Sequence, residues 1–343
     1  MNDQIRWGFL GCGKVVRKKS GEAFRAVPGS TIHAIMRRDL TAAEEAARHF
    51  GADVFCDTEE ALLQSGIDAV YIATPPGLHY EQAMACLAAG KPVYLEKPFA
   101  RNYTEAKALT EAFQAVGIPL YVGHYRRALP RFLKIRQLLE DGIIGQVRSV
   151  DFFLNRVFDP LEAQTKWLYN PVLSGGGKFY DIAPHTIDIF QFLFGEIKTL
   201  SGSAVNLNTG CPLENLVTME VLTDRNIHGR LRFCCTAAEK RDRMTVSGSN
   251  GTMEFSVHGR QDIKIRDGHG KLLQDLLITD PVTVEQPMVQ TVVEDLLGKG
   301  HCLSRAAAVL STYRVIDQVL DPYYGGRQDD FWNHPERYSH EPL

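Results

Sequence analysis

Five short apolar runs, Ile5–Leu10, Thr31–Met36, Ala69–Ala73, Pro92–Leu95 and Leu120–Gly123, punctuate the first third of this 343-residue chain. Between them lie stretches with helical character. The clearest is Thr41–Phe50, where Thr41 and Glu44 stand at capping-box spacing and Gly51 follows as a stop. Asp57 and Glu60 repeat that spacing before Ala61–Gln64, and the alanine-rich run His79–Ala89 closes on Gly90. Strands that alternate with helices of this length need crossover connections, so residues 1–123 are expected to form βαβ units around a parallel sheet.

After Gly123 the pattern changes. Leu129–Glu140 reads as a helix and Gln146–Leu154 as a strand. From Lys198 to about Lys271 strand-like segments follow one another: Leu216–Thr223, Ile227–Cys235, Met244–Ser247, Thr252–Val257 and Ile263–Arg266. Asp224-Arg225-Asn226 and Gly248-Ser249-Asn250-Gly251 suit hairpin turns. The expectation is an α/β protein with two domains: a dinucleotide-binding domain over 1–123, and an α/β domain over 124–343 with an open, mostly antiparallel sheet. Leu303–Leu320 reads as a closing helix, and the tail Asp321–Leu343 shows no period.

Composition narrows the class further. A formal charge of −3 gives no general attraction for nucleic acid or anionic membranes. No apolar stretch is long enough to cross a bilayer, and Met1-Asn2-Asp3-Gln4 carries no signal-like segment. Seven cysteines include no C-x-x-C, so a zinc site is not expected, and scattered thiols fit a reducing cytoplasm.

The first strand runs into Gly11-Cys12-Gly13-Lys14-Val15-Val16. Glycines at 11 and 13 permit a tight turn and close approach of backbone to a pyrophosphate, with the next helix offering its amides. The third glycine of that fingerprint is replaced by Val16, which is expected to push helix and strand apart. At the end of the second apolar run, Met36 stands where an acid would bind the ribose of NAD. Arg37 and Arg38 follow, and guanidinium groups suit the 2′-phosphate of NADP. NADP is favoured, with NAD left open by Asp39. Thr74-Pro75-Pro76 through His79 suits a loop beside the nicotinamide ribose, or a helix-initiating turn.

Lys97, in Leu95-Glu96-Lys97-Pro98, ends a strand on the same sheet edge. A cation there can polarise a substrate oxygen while hydride moves; a surface lysine paired with Glu96 is the alternative. Pro98 allows a cis peptide. The second half supplies Gly175-Gly176-Gly177, then Asp181 and His185, four apart and so on one helix face. Pro184 argues that both lie in the first turn. Histidine suits the proton transfer that accompanies hydride transfer, and Asp181 suits orientation of a hydroxyl or of the imidazole. Half a metal site, or a buried hydrogen-bonded pair, remain alternatives.

Together these motifs resemble the glucose–fructose oxidoreductase, inositol dehydrogenase and rhizopine-catabolism family, Gfo/Idh/MocA. The resemblance runs from Gly11-x-Gly13 through Ala73-Thr74-Pro75 and Glu96-Lys97-Pro98 to Gly175-Gly176-Gly177, Asp181 and His185. It implies NAD(P)-linked oxidation or reduction of sugars, cyclitols or their derivatives, and a homodimer or homotetramer formed through the second sheet. By position, Lys97 binds the reacting oxygen, His185 is the acid/base and Asp181 holds substrate, with Trp167 and Tyr180 lining the pocket. A glycosidase using transient oxidation, or a non-catalytic sensor, would carry the same fold.

Overall fold

The computed structural model describes residues 3–157, 167–168, 170–207 and 213–327. Its contacts divide the chain into two units. Met1–Leu129 and Pro281–Leu310 form one; Pro130–Asp280 and Ser311–Leu343 form the other. The single cut expected after residue 123 is therefore too simple, because residues 281–310 return to the first unit. The cause is hydrophobic. In the helix Gln286–Leu296, Met288, Val289, Val292 and Val293 recur at helical spacing and are buried in the cluster that holds Trp7, Phe9 and Phe24.

The first unit is a six-stranded sheet of β1 (Ile5–Leu10), β2 (Ser30–Met36), β3 (Val54–Cys56), β4 (Ala69–Ile72), β5 (Val93–Leu95) and β6 (Leu120–Val122). The order is β3-β2-β1-β4-β5-β6 and every pairing is parallel. β4, β5 and β6 are buried throughout, as strands covered on both faces must be. β3 escaped the sequence reading because three residues with one buried carry no period. The two helix starts also differ from expectation. Asp39, not Thr41, caps Leu40–Phe50 by accepting from Ala42 N at 3.1 Å. Thr58, not Asp57, caps Glu59–Leu63 by accepting from Ala61 N at 3.3 Å.

The second unit holds eight strands: β7 (Val147–Asn155), β8 (Ile197–Val205), β9 (Leu216–Thr223), β10 (His228–Cys234), β11 (Arg241–Gly248), β12 (Gly251–Phe255), β13 (Asp262–Asp267) and β14 (Leu272–Leu277). Their order is β14-β13-β12-β11-β7-β10-β9-β8, antiparallel except for the β7–β10 pair. β9 alternates buried and partly exposed positions, so one face packs on the core. The turn before β10 contains Asn226 at φ 57°. β14 was not anticipated, because its leucines at 272, 273 and 277 are exposed and give no alternation.

The helix Lys178–Phe194 lies in this unit with fourteen of its residues buried. Pro184 sits in its interior, not in the first turn, where it has no N–H to give to the helix. Burial of the apolar face carries the helix through that defect. The closing helix runs Ala306–Tyr324, further than expected, and the rest of the tail from 328 onward lies outside the described residues.

Candidate active site

In the first unit, the carboxyl ends of β1, β4 and β5 are tied together by backbone bonds. Ala73 N donates to Leu10 O, Glu96 N to Ile72 O and Gly123 N to Leu95 O, each at 2.8–2.9 Å. Gly11, Thr74 and Lys97 consequently emerge on one edge, where open α/β sheets bind ligands. Gly11 has φ 86°, a conformation that excludes a side chain, and a Cβ there would also meet Thr74 Cγ2 at 3.0 Å. A Cβ on Gly13 would meet nothing within 4 Å, so the protein leaves space over that amide for a pyrophosphate. Lys14 and Val15 are exposed beside it.

The helix that follows is irregular at Val16. That residue is fully buried and opens a π-helical segment, Val16–Ser20, before regular helix begins at Gly21. Gly21 permits close packing against the next helix, where a Cβ would strike the Phe50 ring at 2.4 Å. At the end of β2, Asp39 caps the helix Leu40–Phe50 and remains exposed. Arg37 N donates to Cys56 O at 3.0 Å, and Arg38 is exposed.

His79 was expected at the cofactor and is instead fully buried. Its ring lies between two loops, with Nε2 2.8 Å from Thr74 O and Nδ1 3.0 Å from Pro98 O. Burial lowers its pKa to about 4, against the carbonyls, which favour the charged ring; the neutral ring donates its one N–H to a carbonyl of either the Thr74 loop or the Lys97 loop. Thr74 Oγ1 donates to Gln82, which donates to Glu59. The Lys97–Pro98 peptide is cis.

Glu96 turns inward. It accepts from Tyr71 Oη at 2.6 Å and from Lys97 N at 3.2 Å. Burial raises its pKa, opposed by the Tyr71 hydroxyl and the charge of Lys97. No local pattern marks its companion, Glu285, which arrives with the returning segment and is 4% exposed. Burial first, and the Glu96 carboxylate second, push Glu285 up to about 8, against Lys19, Lys97 and Arg126. Glu96 and Glu285 thus form a buried acidic pair that feels the charge of Lys97.

In the second unit, the glycine run serves packing more than ligand approach. A Cβ on Gly177 would lie 2.8 Å from Glu214 O, and one on Gly176 would lie 2.7 Å from Tyr180 Cβ. Gly177 N donates to both oxygens of Glu214, at 2.8 and 3.1 Å, which puts a carboxylate at the N-terminus of the helix Lys178–Phe194. Burial raises the pKa of Glu214, opposed by Tyr324 and Arg327. Arg327 is fully buried, donates to Gly175 O and to Asp317, and stacks over Tyr180 4.9 Å from its centroid. Tyr180, expected to line the pocket, is thereby an interior support of the loop. Trp167 is 40% exposed.

Asp181 and His185 do share a face of that helix. Asp181 lies 3.8 Å from Lys178 Nζ, and His185 is 8% exposed. The His185 ring centre is 6.1 Å from that of His258, whose Nε2 is 2.8 Å from Thr186 Oγ1. Glu214, Arg327 and His258 all escaped the sequence reading, since each reaches the helix from a segment remote in the chain. Among the described residues no group of three or more His, Cys, Asp or Glu is arranged to hold a metal ion.

Comparison with known proteins places the fold. Residues 5–124 match the family model described as "Oxidoreductase family, NAD-binding Rossmann fold", and residues 132–254 match the GFO/IDH/MocA C-terminal domain. Oxidoreductase P35 of Formosa agariphila is 35% identical over 336 residues, covering 95% of this chain and all of the relative. A Bacillus subtilis scyllo-inositol 2-dehydrogenase (NADP(+)), IolW, is 30% identical over 78% of this chain and 70% of its own length. The aldose-aldose oxidoreductase of Caulobacter crescentus superposes with a TM-score of 0.83 at 21% identity, covering 94% of this chain and 98% of that one. The chain belongs to the Gfo/Idh/MocA family of NAD(P)-dependent oxidoreductases.

Proposed function

We propose that the protein is a dehydrogenase or reductase of a sugar, cyclitol or related polyol, with NADP favoured over NAD. The carrying observation is Lys97 at the carboxyl end of β5, on the same sheet edge as Gly11 after β1 and Thr74 after β4. The inositol dehydrogenase relative supports the substrate class. Gly11, Gly13, Lys14, Val15, Arg37, Arg38, Thr74 and Pro75 are the residues that would hold NAD(P), which supplies the hydride chemistry when bound. Glu96 and His79 act one layer behind them.

In the oxidative direction His185 accepts the hydroxyl proton, and in the reductive direction it returns it. Lys97 stabilises the developing alkoxide electrostatically. Asp181 orients a substrate hydroxyl, and Trp167 contributes an apolar wall. A homodimer or homotetramer through the β7–β14 sheet and a cytoplasmic location belong to the same proposal.

The test is Lys97→Met, assayed by nicotinamide absorbance against sugars, inositols and ketoses. Turnover should fall about 10²–10³-fold, while cofactor affinity, read by fluorescence titration, holds. Unchanged turnover would remove Lys97 from the chemistry. Substrate conversion with no net absorbance change would point to transient oxidation instead.

A further inference from the structure

Resting on that reading, we propose that the substrate carries an oxyanion, bound in a cationic cavity of the second unit beside His258. The cavity, of about 280 Å³, lies at the ends of β7 and β11 and is lined by Asn155, Arg156, Lys240, Arg241, His258 and Arg260, among others.

The balance of charge is lopsided. Among the described residues lining it, Asp242 is the one carboxylate, and its oxygens are already engaged inward. They accept from Ser256 Oγ, from Val257 N at 3.1 Å and from His258 N at 2.6 Å. Arg260 is paired with Asp262. Among the described residues of the lining, Arg156, Lys240 and Arg241 therefore outnumber the single charge of Asp242 and leave an excess of positive charge, and Arg241 lies 5.4 Å from the centroid of the Phe153 ring.

A neighbouring cavity of about 290 Å³ supplies the contrast. There Arg241, Arg243 and Arg260 face Asp242, Glu254 and Asp262, with Arg243 3.5 Å from Glu254. There the three cations are matched by three acids. In the first cavity the cations outnumber the acid.

The loop bearing His258 is also preformed. Arg131, itself buried, donates from Nη1 to Ser256 O at 2.8 Å and to Arg260 O at 3.1 Å, and from Nη2 to Val257 O at 3.2 Å. Asp242 holds the same loop from the other side. His258 lines the cavity and its ring centre lies 6.1 Å from that of the acid/base histidine, which puts the cavity beside His185. A sugar whose reacting hydroxyl meets His185 would present a carboxylate, phosphate or sulfate to Arg156, Lys240 and Arg241. Guanidinium groups bind all three oxyanions in the same forked manner.

The experiment is calorimetric titration of the NADP-loaded protein with matched probes: glucose against glucuronate, glucose 6-phosphate and glucose 6-sulfate, and galactose against galacturonate. At least one anionic probe should bind about tenfold or more tightly than its neutral partner, with the advantage shrinking at raised salt. Whichever anion wins names the source of the charge. Combined Arg156→Gln and Lys240→Gln replacement should abolish the advantage while cofactor affinity is kept, which shows that the variant is folded. Equal affinity within every pair, or equal weakening of anionic and neutral probes in the variant, overturns the inference. Because the readout is binding, an anion preference without hydride transfer would uphold the inference while defeating the proposed dehydrogenase.

Discussion

Replacing Glu285 with glutamine tests the buried acidic pair of Glu96 and Glu285 directly. Glu285 is 4% exposed, its Oε2 has no hydrogen-bond partner among the described residues, and its pKa rises from 4.5 to about 8. Below pH 4.5 folded and unfolded chains both keep the proton. As pH rises the unfolded chain releases it and the folded chain does not, so stability falls until about pH 8 and then levels. At about 1.4 kcal/mol per pH unit the whole window is worth roughly 5 kcal/mol, of which roughly 3 kcal/mol has been lost by pH 7.

Glutamine fills the same volume and cannot ionise. The Glu285→Gln variant should gain stability relative to the parent steadily from pH 5 to pH 8, and no further above it. Urea unfolding of both proteins followed by tryptophan fluorescence at each pH gives the comparison. Because the two units can unfold separately, the transition to follow is that of the unit containing Trp7. A difference that does not change with pH would refute the reasoning, since Glu285 would then ionise alike in both states.

Two other expectations are simpler to check. Arg327→Met leaves Asp317 buried and without that guanidinium, and releases Gly175 O, so it should lower stability by about 3–5 kcal/mol; calorimetric melting measures this, and a second change, Asp317→Leu, should recover part of the loss. Arg38→Ala should weaken NADP about tenfold and leave NAD little changed, because a guanidinium at that strand end serves the 2′-phosphate. Fluorescence titration reads both, and equal losses would contradict the assignment.

Much of the architecture was legible because it depends on local period. Leu216–Thr223 reads as a strand from its composition and is β9 to the residue, and the turn at Asp224-Arg225-Asn226 follows from residues that tolerate φ above zero. Gly11 and Gly13 were recognisable for the same reason: a backbone demand leaves its mark on residue type. Competition among caps was not legible. Thr41 and Asp39 offer the same chemistry two residues apart, and the folded chain has Asp39, in extended backbone, as the cap.

Side chains that act from a distance left no local mark at all. Glu285, Glu214 and Arg327 read in sequence as ordinary charges in unpatterned segments. They become site residues because separate stretches of chain enclose them, and enclosure makes an unpaired charge costly.

The order of apolar and polar residues alone determined a parallel α/β half, an open antiparallel half, and a glycine loop and a lysine at strand ends. Tertiary structure alone decided that residues 281–310 rejoin the first unit, that a second buried acid joins Glu96, and that Arg327 supports the glycine run. Secondary structure answers to neighbours a few residues away, whereas burial and ionisation answer to whatever the folded chain brings alongside.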